Sequence, residues 1–391
     1  MQTMKIDQIT PRIRDLGIED RIRDALSQAE FDAVVLLSVD VCQYASGYWF
    51  PYARNRLTRQ NIVVWPKSEE PVLILGVDQV AGPYRYSWIR DYRTYAQRGR
   101  RPPGVIVETL SSTLDDLGLR GKRIGIEFQY TPIIFFQELL KLSPGTEFIP
   151  CDDLFDELRM TKTPQEVALI SDCAKAAEVG MHEALLQAKP GWTEKQLADQ
   201  IRVNILDNGA DDVTTILLGS GDGARGYYTP TTDSLQEGEI VRIDLNAISG
   251  GYYSDMGRMA VVGQPTQEQE DVYNKLWELN QRIIHFIRPG IKANETFQFC
   301  QDVAQDLGVT LLDQAYIGLG HSTGINNSEI PKLVGGDSTE LREGMVLNIE
   351  PDIFGPEGEV MHVEEMLLVK EDGNSEVLTR NKDWSTLFRI Q

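Results

Sequence analysis

The stretch EIVRIDLNAISGGYYSDMGRMAVVG, Glu239 to Gly263, constrains the fold of this chain more than any other. Two apolar runs with strand character, IVRIDL and MAVV, flank Ser-Gly-Gly, and an aspartate lies on each side of that break. A tight reversal at SGG makes the segment a β-hairpin. With Ser249 and Gly250 as a two-residue loop, Ile248 faces Gly251, and counting back pairs Asp244 with Asp255. Like charges directly across a ladder destabilise it, so the hairpin calls for a cation between the acids or a proton shared by them. A loop displaced by one residue would turn the two acids apart.

More acids lie in apolar surroundings downstream. GMVLNIEPDI ends an apolar run on Glu350 just before Pro351, and EVMHVEEMLLV carries Glu364 and Glu365. A carboxylate inside a buried strand is costly unless it is paired or metal-bound. GLGHSTGINNSEIP contributes His321, one of only four histidines, which reads either as a metal ligand or as the cap of a buried turn. Asp, Asp, His, Glu and Glu are hard or borderline donors suited to manganese, cobalt, iron or zinc. Five of them suffice for a two-metal site with bridging acids. His182 and His285 fall in helical segments and read as structural.

At 391 residues the chain exceeds the roughly 250 to 300 at which single cores stop growing, so two domains are expected. From Phe31 to about Pro150, AVVLLSV, NIVVWP, PVLILGV and RIGIEF read as buried strands, with SSTLDDLGL and PIIFFQELLKL as helices between them, an α/β pattern. The second domain is placed from Glu157, giving domains 1–156 and 157–391. Just inside it, Thr163-Pro164-Gln165-Glu166 has the N-cap, helix-starting proline and capping acid of a helix beginning. Within that domain AKPGWTEKQLADQI and IRPGIKANETFQFCQDV echo each other, which suggests a two-fold repeat of helices and strands.

The formal charge of −21 opposes binding to a phosphate backbone, so nucleic acid is not an expected partner. That holds despite the interleaved arginines and aromatics of YRYSWIRDYRTYAQRGRR, which read as a strand and an exposed loop. No run approaches the roughly 18 apolar residues of a spanning helix, and MQTMKIDQITPRIRDLGIED reads as neither signal peptide nor anchor. Cys42, Cys151, Cys173 and Cys300 form no CxxC pair, so a disulfide framework or thiolate zinc site is not expected, and a reducing cytoplasm is.

These segments resemble, in order and at fitting separations, the pita-bread metallohydrolases, the group of prolidase, aminopeptidase P, methionine aminopeptidase and the metal-free creatinase. FDAVVLLSVDVCQYASGY resembles the opening of a creatinase-type N-terminal domain and RMTKTPQEVALI the entry to the catalytic domain. YYSDMGRMAVVG, GHSTG, LNIEPDI and HVEE resemble the metal-site signatures. The resemblance implies an α/β N-terminal domain followed by an α+β pita-bread catalytic domain with a pseudo-two-fold internal repeat. It implies two divalent metal ions, with Asp244 on one, Asp255 bridging, His321 and Glu350 on the other, and Glu364 bridging. Glu364 rather than Glu365 is the ligand because VEE is similar to the family's IED. A water between the ions then attacks the scissile carbonyl while the glutamate at Glu350 handles the proton. A homodimer is implied as well.

Departures from the family pattern bear on the substrate. Peptidases of this family carry a second histidine seven residues after the ligand, where this chain has Ser328 within GINNSE, beside Asn327. They carry another in HYTP-like contexts, where YYTPTT has Tyr227. Where they often have arginine this chain has His362, two residues before Glu364, and on a strand both project to one face. An imidazole there either carries a proton near neutral pH or only hydrogen-bonds the bridging glutamate. Arg258 and Glu329 also match family positions, Arg258 as the salt-bridge partner that orients a carboxylate.

The expected activity is therefore dinuclear metal-dependent hydrolysis of a C–N bond in a small peptide-like substrate, of the Xaa-Pro dipeptidase or aminopeptidase P kind. Alternatives on the same scaffold are a small-molecule hydrolase resembling ectoine hydrolase or creatinase, and a lyase acting on dimethylsulfoniopropionate. A catalytically silent binding module is disfavoured by the intact ligand set.

Overall fold

A computed structural model of the chain describes residues 10–49, 60–96, 103–312, 318–371, 373 and 375–391. Two compact units divide it, Met1–Arg159 and Met160–Gln391. The boundary expected before Glu157 falls inside the helix Asp152–Met160.

The first unit is built on a six-stranded sheet in the spatial order Asp91–Tyr95, Val72–Gly76, Ile62–Pro66, Ala33–Leu36, Arg123–Ile126, Glu147–Pro150. AVVL, IVVWP and VLILG are buried at every position, as continuous β-branched runs in a covered sheet should be. The sheet is mixed, with Ala33–Leu36 antiparallel to Ile62–Pro66 and parallel to Arg123–Ile126. Helices Gly104–Asp116 and Ile133–Leu142 cover it, packing Ile106, Leu110, Phe135 and Leu139 against Val35, Val64, Ile74 and Ile124. Of the arginine-rich segment, Asp91–Tyr95 is an edge strand, and positions 97–101 lie outside the described residues.

The second unit opens with the helix Pro164–Gln187. Its first turn is a reciprocal cap: Glu166 N–H donates to Thr163 Oγ1 at 3.2 Å, and Thr163 N–H donates to Glu166 Oε2 at 2.8 Å. Thr193 and Thr266 repeat the device at the starts of Glu194–Asp207 and Gln267–Phe286. Each half of the unit is a helix pair followed by strands. Pro164–Gln187 and Glu194–Asp207 pack Ala177, Met181, Leu197 and Ile201 against Leu218, Ile243 and Leu245 of a four-stranded sheet. Gln267–Phe286 and Ala293–Leu307 pack Leu276, Ile283 and Phe297 against Leu347, Ile349 and Leu367 of a five-stranded one. The two sheets are joined by an isolated bridge between Gly257 and Glu364.

The hairpin register differs from the expected one. Ser249 pairs with Tyr252, and the loop is Gly250–Gly251, with φ of 59° and 86°. Both loop residues need the left-handed region, which two glycines occupy freely and Ser249 would not. Asp244 therefore faces Gly257, and Asp255 faces Asn246. Moving the two-residue loop by one position shifts each pairing by two, which keeps the side-chain face, so the displaced loop does not turn the acids apart as expected. The two aspartates thus lie on one face diagonally instead of directly opposed. No helix among the described residues is long and apolar enough to cross a membrane.

Candidate metal centre

Five strands bring the candidate ligands to one place. Asp244 lies on Ile240–Ser249, Asp255 on Tyr252–Val262 and His321 on Gly320–Ser322, while Glu350 directly follows Val346–Ile349 and Glu364 directly precedes Glu365–Leu368. His321 Nε2 lies 3.4 Å from Glu350 Oε1 and 3.8 Å from Asp255 Oδ2. Two donor groups emerge: Asp244, His362 and Glu364, and Asp255, His321 and Glu364, each with its donor atoms within 4.8 Å of one another. Glu364 belongs to both.

The electrostatics of this cluster ask for a cation. Burial, and then the charges of Asp244 and Glu350, hold the Asp255 carboxyl well above the usual carboxylate range. Burial followed by Asp255, Glu350 and Asp244 does the same to Glu364. Burial and then Asp244 and Asp352 push Glu350 up to about 8, and burial also raises Asp244. His321 is displaced the other way, down to about 4, by burial and then Lys332, so it is a neutral imidazole at neutral pH. Its Nδ1 faces Ser322 O at 3.1 Å, and donation there leaves the Nε2 lone pair toward the acids. Glu364 Oε2 and His362 Nε2 are buried without any hydrogen-bond partner. Buried orphans of a carboxylate and an imidazole, aimed at each other's neighbours, are the donor chemistry of a divalent cation site, so the residues present fit one.

His362 is held by its far side. It pairs across a two-stranded ribbon with Asp352, and its Nδ1 lies 2.7 Å from Asp352 Oδ1. That bond fixes the tautomer and directs Nε2 to within 3.6 Å of Glu364 Oε2 and 4.0 Å of Asp244 Oδ2. The ring occupies space that only glycine leaves open: a Cβ on Gly257 would sit 2.0 Å from its Cδ2 and 2.1 Å from its Nε2.

Neighbouring acids are separated by their partners. Glu365 turns to Arg258, whose Nη2 donates to Glu365 Oε2 at 3.0 Å with both side chains fully buried, and Thr379 Oγ1 donates to the same oxygen. Arg258 Nη1 also donates to the backbone oxygen of Glu364 at 2.6 Å, which anchors the strand carrying Glu364. Asn348 Nδ2 donates to Glu364 Oε1 at 2.9 Å, leaving Oε2 free. Asn246, opposite Asp255 in the hairpin, hydrogen-bonds its carboxylate. His182 packs edge-on against Trp384 and Phe388, and His285 Nδ1 meets Gln281 O, both away from the cluster.

The loop after His321 is clasped by polar contacts of its own. Glu329 accepts from Asn326 N–H at 3.1 Å and pairs with Lys162 at 3.3 Å, and Lys162 also donates to Ser322 at 2.8 Å. Asn327 O accepts from Thr323 Oγ1 at 2.8 Å, while the exposed Ser328 accepts a hydrogen bond from Lys332. Tyr227 stacks over Arg242, with the guanidinium carbon 4.2 Å from the ring centre. Desolvation, then the charge of Asp352, push its phenol well above the ordinary value, so it stays protonated.

Asn246, Asn348, Asp352 and Arg242 were not singled out from the sequence. A signal was present: on an extended chain alternate positions share a face, and Arg242, Asp244, Asn246 run at that spacing, as do Asn348, Glu350, Asp352.

Comparison with known proteins identifies the family and the fold. The model for metallopeptidase family M24 matches residues 168–371, and that for the creatinase/prolidase N-terminal domain matches 20–161. The chain is 28% identical over 270 residues to an Xaa-Pro dipeptidase of Pyrococcus furiosus, covering 68% of this chain and 74% of that protein. It is 27% identical over 365 residues to an uncharacterized peptidase of Staphylococcus epidermidis, covering 92% and 97%. Among solved structures, the prolidase of Pyrococcus horikoshii superposes with a TM-score of 0.80 at 24% identity, over 94% of this chain and 99% of that one. The X-Pro aminopeptidase of Thermotoga maritima gives 0.80 at 20%, over 94% and 100%.

Proposed function

The chain belongs to metallopeptidase family M24, and on that premise we propose that it is a two-metal hydrolase cleaving the C–N bond of an Xaa-Pro dipeptide or a similarly small peptide-like substrate. The observation that carries the reading is the pair of donor groups sharing Glu364. Asp244, His362 and Glu364 would hold one ion; Asp255, His321, Glu350 and Glu364 would hold the other, with Asp255 reaching toward both. Manganese is the first choice among manganese, cobalt, iron and zinc, because the set is rich in carboxylate oxygen.

Bound ions would supply Lewis acidity and an activated water. The chain's own groups do the rest. Glu350, largely buried beside His321 and the other acids, takes a proton at its carboxylate and returns it to the leaving nitrogen. Tyr227 offers its retained hydroxyl as a hydrogen-bond donor to the substrate carbonyl oxygen, in place of the histidine found there in the family. His362 serves as a nitrogen donor instead of a proton carrier, since its Nδ1 is committed to Asp352 and its Nε2 is buried. A homodimer in a reducing cytoplasm completes the reading, supported by four buried cysteines that form no disulfide and by the family resemblance.

Metal analysis joined to a mixed substrate panel tests this. The expected result is about two divalent ions per chain and cleavage of Xaa-Pro dipeptides detected by mass spectrometry. Turnover of a cyclic amidine or of dimethylsulfoniopropionate alone would move the activity to the non-peptidase alternatives. Protein that neither holds nor takes up transition metal would end the reading.

Asp352→Asn probes the support of His362 without touching a carboxylate ligand. Loss of such a partner typically lowers metal affinity about 10- to 100-fold. Chelator competition should register that loss for one ion of the two, with circular dichroism unchanged.

A further inference from the structure

Arg242 is the charged group of this site that the metal reading leaves without an occupation. It is 1% exposed, on the same strand face as Asp244 and Asn246, and its side chain makes no hydrogen bond among the described residues. Its Nε and Nη2 are both buried and unpartnered. Asp244 is its only ion-pair partner there, at 3.6 Å from Nη2, outside hydrogen-bond length. Tyr227 covers one face of the guanidinium at 4.2 Å and is itself 45% exposed, so it stands between the cation and solvent.

A buried guanidinium with open donors is expensive unless something accepts from it. An arginine retained only to balance Asp244 would be expected to hydrogen-bond it. Here the fork lies beside the metal ligands with donors spare, under an aromatic ring that holds its plane. Two N–H groups in that plane match the two oxygens of one carboxylate.

We propose that Arg242, framed by Tyr227, is the carboxylate receptor of the active site and restricts the enzyme to small acids whose carboxylate lies close to the scissile bond. In an Xaa-Pro dipeptide that carboxylate is separated from the scissile nitrogen by a single carbon. The short reach from Arg242 to Asp244 suits this spacing. A longer peptide presents an amide at the same place, which has one oxygen and cannot accept from both donors. Such a substrate leaves part of the fork unpaired in a dry site, and sites of this kind reject the analogue strongly. The proposal rests on the hydrolase reading for the position of the scissile bond, and it adds which end of the substrate is recognised and by what.

The test compares L-proline with L-prolinamide as ligands of metal-loaded protein, by calorimetry, in wild type, Arg242→Gln and Arg242→Lys, with metal content measured for each. Wild type should bind the acid at least tenfold more tightly than the amide. R242Q should bring the two to within about threefold, and R242K, which keeps a cation beside Asp244 but lacks the fork, should lose at least half of the preference. Wild-type preference retained in R242Q would overturn the proposal, as would a wild type that does not distinguish the two ligands. If R242Q loses metal, fully loaded R242K decides: preference intact overturns the proposal, and preference diminished supports it. Turnover of Ala-Pro against Ala-Pro amide is followed in parallel. Protein that distinguishes acid from amide yet cleaves no dipeptide would refute the hydrolase reading and leave the receptor standing.

Discussion

Glu364→Gln is expected to reduce kcat/KM by about four orders of magnitude, which corresponds to about 5 to 6 kcal/mol of transition-state stabilisation. Glu364 is the one residue common to both donor groups, and its Oε2 is buried with no hydrogen bond to occupy it. Glutamine keeps the size and can still accept from Asn348, so the fold should survive. It removes the negative charge that both ions would share. Steady-state kinetics and metal content measured together separate the outcomes: activity within tenfold of wild type at two ions per chain would remove Glu364 from the centre. Glu365→Gln supplies a contrast, because Glu365 is committed to Arg258 and Thr379. Its effect should fall on thermal stability first.

Removing metal is expected to make stability depend steeply on pH, in a direction opposite to ordinary surface acids. Asp255, Glu364 and Glu350 have folded-state pKa values above their unfolded ones, Glu350 up to about 8. Between the unfolded carboxylate range and the folded pKa, the folded state holds more protons than the unfolded state, so stability falls as pH rises through that window. His321 works against this at lower pH. Its folded pKa is about 4, below the ordinary 6.5, so it adds stability as pH rises from about 4 to 6.5 and nothing beyond. The interval from about pH 6.5 to 8 is therefore the clean one. There the apo protein should lose up to about 1.4 kcal/mol per pH unit for each carboxyl still protonated. A bound cation replaces those protons, so loaded protein should show a nearly flat profile. Thermal melts of chelator-treated and manganese-loaded protein across this interval check it, and parallel profiles would show that the acids do not shape apo stability.

What the sequence disclosed, and what it withheld, follows from how far each signal reaches along the chain. The candidate ligand positions were legible because a carboxylate in an apolar run conflicts with its surroundings, and that conflict is local. The hairpin was legible for the same reason, but its register was not: SGG permits two loops, and only the preference of both loop positions for positive φ favours Gly250–Gly251. The choice of Glu364 over Glu365 came from resemblance. Its physical basis, the Arg258 clamp on Glu365, spans 107 residues. Asp352 and Arg242 escaped notice because each looked ordinary alone, an acid after a proline and a cation in a strand. Their meaning lies in partners that only the fold brings beside them, His362 for one and Tyr227 for the other.

The absent Cβ at Gly257 has a consequence for descent. The imidazole of His362 and the bare α-carbon of Gly257 occupy complementary volumes, 105 positions apart in the chain. Any larger residue at 257 evicts the ring, and a smaller one at 362 opens a void that glycine no longer needs to serve. Neither substitution is neutral on the background of the other, so the order in which they arose was restricted. A lineage that traded the imidazole for a smaller group would release position 257 from glycine, and the two positions are expected to be inherited as one character.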